Sequence, residues 1–89
     1  MTLQDALYNW LSIKKVAEHR PEDQAAKDTL QFFDEILRED HHVSILSVHL
    51  QEENYEVGYM IETTHYKKSF PRDYINALWE SIEAEPKYN

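Results

Sequence analysis

Residues 55–62, Tyr-Glu-Val-Gly-Tyr-Met-Ile-Glu, alternate along their length. Tyr55, Val57, Tyr59 and Ile61 fall on one side of an extended chain; Glu56, Gly58, Met60 and Glu62 fall on the other. Side chains in a strand point to opposite faces with a period of two, so this is a strand with one buried and one wet face. Such a strand needs pairing partners and a layer over its dry side. Residues 43–50, "VSILSVHL", are β-branched and apolar enough to be the first partner. "QEEN" between the two reads as a hairpin loop, with Asn54 suited to a left-handed backbone. A bend near Glu62–Thr63–Thr64, which lacks glycine, would release "HYKKSF" (65–70) as a third strand; without it the second strand is long and bent.

The covering layer is helical. Leu3, Ala6, Leu7, Trp10, Leu11, Ile13 and Ala17 follow helical spacing over residues 2–18, with Thr2 and Asp5 as a short capping box. Gln4, Asn9, Ser12, Lys15 and Glu18 take the other side of that helix. Pro21 suits the first position of a second helix running to about Arg38, with Glu22 and Asp23 in its first turn. Ala26, Leu30, Phe33, Ile36 and Leu37 form its apolar stripe. A third helix opens at Pro71, carries Tyr74, Ile75, Leu78, Trp79 and Ile82 on one face, and ends at Glu85–Pro86. The expected fold is α+β in the order ααβββα. A two-helix antiparallel hairpin precedes a small antiparallel meander of two or three strands, and the C-terminal helix packs on one face. Residues 1–89 form one domain.

Seventeen acidic residues against nine lysines and arginines give a net charge of -8. That charge repels phosphate backbones and anionic lipid, and suits a basic protein partner. Nucleic-acid and membrane binding are therefore not expected. The absence of cysteine excludes disulfides, thiolate nucleophiles and cysteine-ligated metals. The first fifteen residues lack a basic start and an apolar core, and no run is apolar over ~18 residues, so a cytoplasmic protein is expected.

The five histidines, His19, His41, His42, His49 and His65, include no pair at the i, i+4 spacing of a helical metal site. His41 and His42 are adjacent, in a polar helix end. His49 and His65 could meet across a sheet only in a favourable register. Gly58, the single glycine, sits within a strand, where it marks a bulge or a close approach. Phosphate loops and oxyanion turns built on glycine are thus absent from the sequence. Lys67, Lys68 and Arg72 form a small basic spot, with the lysines expected to face Glu56 and Glu62. Trp10 and Trp79 fall on apolar helix stripes, where their N–H groups should find partners or reach the rim. No enzyme, cofactor or metal is expected.

Strand one raises a different point. By simple alternation Val43 and Ile45 point to one face, and Leu46, Val48 and Leu50 to the other. An edge strand apolar on both faces needs cover from its own chain, a second copy or a foreign strand. The expected function is an acidic, non-catalytic protein-interaction or regulatory module that can form a homodimer. Its interface would be Val43, Ile45 and Val48, rimmed by Glu52, Glu53 and Glu56. The alternative is a small-ligand or divalent-metal-binding protein using His49, Gly58, Tyr59 and His65.

Overall fold

A computed structural model describes residues 1–84, position 46 by its backbone only. The expected stop at Glu85–Pro86 lies outside the described residues. The elements are α1 (Leu3–His19), α2 (Gln24–Glu35), a π-helical turn (Ile36–Asp40), β1 (Val43–Gln51), β2 (Asn54–Ile61), β3 (Thr64–Pro71) and α3 (Arg72–Ala84). The strands form one antiparallel sheet in the order β1-β2-β3, with β2 in the centre. This is the α+β arrangement read from the sequence, with the third strand present.

The helix boundaries follow local chemistry. Thr2 Oγ1 accepts from the Asp5 N–H at 3.1 Å and caps α1. Pro21 does not open α2. Pro21 and Glu22 lie in a turn closed by the Asp23 N–H donating to the Arg20 carbonyl, and Asp23 is the cap, accepting from the Ala26 N–H at 3.1 Å. An aspartate that can cap wins over a proline that merely tolerates the first turn. The helix also does not continue regularly to Arg38, but widens into the π-turn from Ile36. His42, at φ 57°, then reverses the chain into β1. Pro71 closes β3 opposite Asn54, so α3 begins one residue later than expected.

Both hairpins have two-residue loops, Glu52–Glu53 and Glu62–Thr63. Their left-handed residues are Glu52 (φ 54°) and Glu62 (φ 56°), not Asn54, which pairs with Gln51 inside the ladder. Each such residue costs roughly 1–2 kcal/mol, which the pairing of the strands offsets. The Arg72 N–H donates to the Glu53 carbonyl at 2.7 Å and ties the start of α3 to the first hairpin.

The sheet register removes the expected two-faced apolar strand. β1 pairs with β2 from Val43↔Ile61 to Ile45↔Tyr59, then resumes at Ser47↔Gly58 and runs to Gln51↔Asn54. Position 46 is the extra residue of a β-bulge, and it inverts the phase of the strand. Val43, Ile45, Val48 and Leu50 therefore stand opposite Ile61, Tyr59, Val57 and Tyr55, all on the side facing the helices. The outer face carries Ser44, Ser47 and His49 on β1, Glu56, Gly58 and Met60 on β2, and His65, Lys67 and Ser69 on β3. Gly58 lies opposite the first paired residue after the bulge. A Cβ there would come 2.7 Å from Ser47 Oγ, so the glycine makes room for a hydroxyl.

The core lies between the sheet and the helices. Leu7, Leu11, Leu37, Val57 and Ile75 are fully buried in it, with Tyr55, Phe70 and Trp10 nearly so. Each such aliphatic side chain contributes about 1.5–3 kcal/mol through burial. α1 packs against both α2 and α3 and is the middle helix of the layer. That position explains Ser12, which spacing assigned to the polar side. It is 2% exposed, and its hydroxyl has no hydrogen-bond partner among the described residues. Replacing it with alanine removes an unsatisfied buried group and improves helix propensity. Ser12→Ala is expected to stabilise the protein by about 1–2 kcal/mol, read as a higher denaturant midpoint with an unchanged slope.

Candidate functional site

The edges of the sheet differ. β3 carries His65, Lys67 and Lys68 and ends at Pro71, the charged and proline-bearing kind of edge that resists further pairing. β1, over Val43–Gln51, contains no charged residue and no proline in a chain that is 29% charged. Among the described residues β1 pairs only with β2.

On the helix-facing side of β1 an apolar surface remains partly open. Ile45 and Val48 are half-buried against the core, and Leu50 is 53% exposed. A depression of about 380 Å³ lies beside them, lined by Trp10, Lys14, Ile45, Ser47 and Val48. A second, of about 360 Å³, shares Trp10 and Lys14 and extends to Lys27, Leu30, Gln31 and Asp34 on α2. The indole of Trp10 is common to both, and Lys14 extends past it with its ammonium 5.7 Å from the ring centre. α2 leaves this groove open because only Ala26 of its twelve residues is buried.

The expected interface residues are divided by this geometry. Val43, 2% exposed, belongs to the core. Ile45 and Val48 line the groove. Glu52 and Glu53 are exposed at the hairpin tip, with Glu53 Oε2 3.8 Å from Arg72 Nη2. Glu56 is on the outer face, opposite His49, and pairs with Lys67 at 3.6 Å. Lys68 instead stands opposite Val57 on the helix-facing side, so the two lysines do not act together. Trp10, Lys14 and Leu30 were not foreseen in this surface.

Of the alternative set, His49, Gly58 and His65 lie on the outer face, whereas Tyr59 lies on the helix-facing side within the core cluster. A depression of about 440 Å³ is lined by Ser47, Gly58, Tyr59, His65, Tyr66 and Lys67. His49 is apart from it. His49 and His65 occupy opposite edge strands, two side-chain rows apart. Strand spacing places them about 10 Å apart across the sheet and about 13 Å along it, too far to share an ion with bonds of about 2 Å. Among the described residues, no three His, Asp or Glu side chains converge on a metal-sized site. Tyr59 stacks on Tyr66 at 5.5 Å, and burial followed by the neighbouring Tyr66 raises its hydroxyl above the usual tyrosine range.

The remaining histidines have local roles. His41 Nε2 lies 3.2 Å from the Met1 carbonyl. His19 Nδ1 lies 2.8 Å from the Lys15 carbonyl, and its ring stacks on Trp79 at 3.9 Å. The Trp79 N–H is buried without a hydrogen-bond partner among the described residues, contrary to expectation. Among the described residues no helix is long and apolar enough to cross a membrane. No protein-family model, curated protein or solved structure matches this chain.

Proposed function

We propose that this chain is an acidic, non-catalytic cytoplasmic interaction module that engages a protein partner through β1 and the groove beside it. One observation carries the reading: a charge-free edge strand bears the exposed Leu50 and adjoins an open depression lined by Ile45, Val48 and Trp10. Apolar surface at an uncovered sheet edge is where partners dock by strand pairing and side-chain packing. The charge of -8 favours basic partners at long range, while the contact itself is apolar.

The test is site-specific photo-crosslinking in cells. A photoreactive phenylalanine analogue in place of Leu50 is expected to give a protein adduct. The same group in place of Ser69, exposed on the outer face of β3, is expected to give none. Absence of any adduct at position 50 overturns the reading.

A further inference from the structure

Building on that reading, we infer that the partner at β1 is a second copy of this chain. The two β1 strands run antiparallel about a twofold axis at His49, extending the two sheets into one of six strands.

The backbone sets which groups are available. In a two-residue hairpin the closing pair, Gln51 and Asn54, is hydrogen-bonded, and bonded and non-bonded pairs alternate from there. His49 and Ser47 therefore turn their amides and carbonyls towards β2. Val48 and Leu50 turn theirs to the free edge. The bulge at position 46 ends the regular ladder, leaving residues 47–51 as the straight segment open to pairing.

That segment, Ser-Val-His-Leu-Gln, is self-complementary about its centre. With His49 opposite His49, Val48 of each copy meets Leu50 of the other, and Ser47 meets Gln51. The outward-facing amides and carbonyls of Val48 and Leu50 then pair with one another, giving four interstrand hydrogen bonds. Residues directly opposite share a face, so both helical layers stay on the same side. Leu50, 53% exposed in the single chain, packs beside a valine. Centring the pair on Val48 or Leu50 instead sets an apolar residue against the bulge or the hairpin loop.

Charge completes the fit. The same register brings Glu52 of the second copy opposite position 46, beside the groove lined by Lys14, Ile45 and Val48. Among the described residues Glu52 has no ion pair, and Lys14 has a single one, to Glu18 at 3.6 Å, besides its approach to the Trp10 ring. Two Lys14–Glu52 contacts, one on each side of the axis, thus join two chains whose net charges repel. The isologous contact closes on itself and stops at two copies.

The experiment is sedimentation velocity on the untagged full chain over a concentration series. The expected result is reversible association to twice the chain mass. His49 is exposed, so His49→Lys leaves the fold intact, places two ammonium groups across the axis and weakens the dimer about tenfold or more. Leu50→Glu serves as a second variant with the same expected loss. Lys14→Glu and Glu52→Lys each weaken association, and the double charge exchange restores it, which a purely structural role would not produce. A chain that is monomeric throughout overturns self-association. Crosslinking of position 50 to a different protein would then leave the interaction reading standing, whereas no crosslink would remove both. A dimer indifferent to His49→Lys and Leu50→Glu overturns this register.

Discussion

Val43→Lys is expected to abolish cooperative folding, whereas Leu50→Lys is expected to leave the melting temperature within a few degrees of the parent. The two positions are apolar residues of one strand and one face. They differ in what lies over them. Val43 is 2% exposed within the core, whereas Leu50 is 53% exposed at the open end of the same face. A lysine at 43 must either bury an ammonium group or expel β1 from the core, at a cost of several kcal/mol. An 89-residue chain has a total stability of about 4–13 kcal/mol. Most of that margin is consumed, so the sigmoidal thermal transition in far-ultraviolet circular dichroism should disappear. A Val43→Lys protein melting like the parent would contradict the bulged register. Disrupting the proposed interface therefore requires Leu50 or His49, since Val43→Lys destroys the module itself.

The architecture was legible because its main signals are periodic. Strict alternation at Tyr55–Ile61 identifies a central strand, and the stripes around Trp10 and Trp79 identify helices that cover it. Phase was the difficulty. Ile45–Leu46 breaks the alternation, and two adjacent apolar residues in a strand mean either a change of face or a bulge. Omitting position 46 leaves Val-Ser-Ile-Ser-Val-His-Leu, an unbroken alternation, which is the local trace of the bulge. Only the pairing with β2 chooses between the readings. The turns were obscured for an energetic reason. Glutamate at positive φ is unfavourable, and the ladder on either side of Glu52 and Glu62 imposes it.

The candidate site was legible in part, for a related reason. Ile45 and Val48 are visible as apolar residues of an edge strand. The groove needs Trp10, Lys14 and Leu30 from two helices, and no sequence spacing connects them to residue 48. Ser12 misled in the same way. A helix flanked on both sides buries more than one stripe, so polarity at a single position does not reveal exposure. The thin burial of α2 is likewise invisible in its strongly amphipathic sequence.

That thin burial makes Leu37 the second residue with a large expected effect. α2 places only Ala26 fully inside, with Leu30 and Phe33 half-buried. The π-turn that follows contributes Leu37, which is fully buried. The wider turn aims one leucine into the core before the chain reverses at His42. Leu37 therefore anchors the α2 segment from its C-terminal end. Leu37→Ala is expected to cost about 2–5 kcal/mol, the range for a leucine whose site collapses incompletely. At about 4–8 °C per kcal/mol, the melting temperature should fall by roughly 8–40 °C. The loss should also be uneven. Hydrogen exchange at the amides of α2 should accelerate before that of α1, because α1 is held by α3 and the sheet as well. Uniform acceleration over both helices would mean that α2 opens only with the whole domain. Early release of α2 would mean that one wall of the Trp10 groove is the least stable part of the fold, and that the shape a partner meets at β1 depends on a single buried leucine.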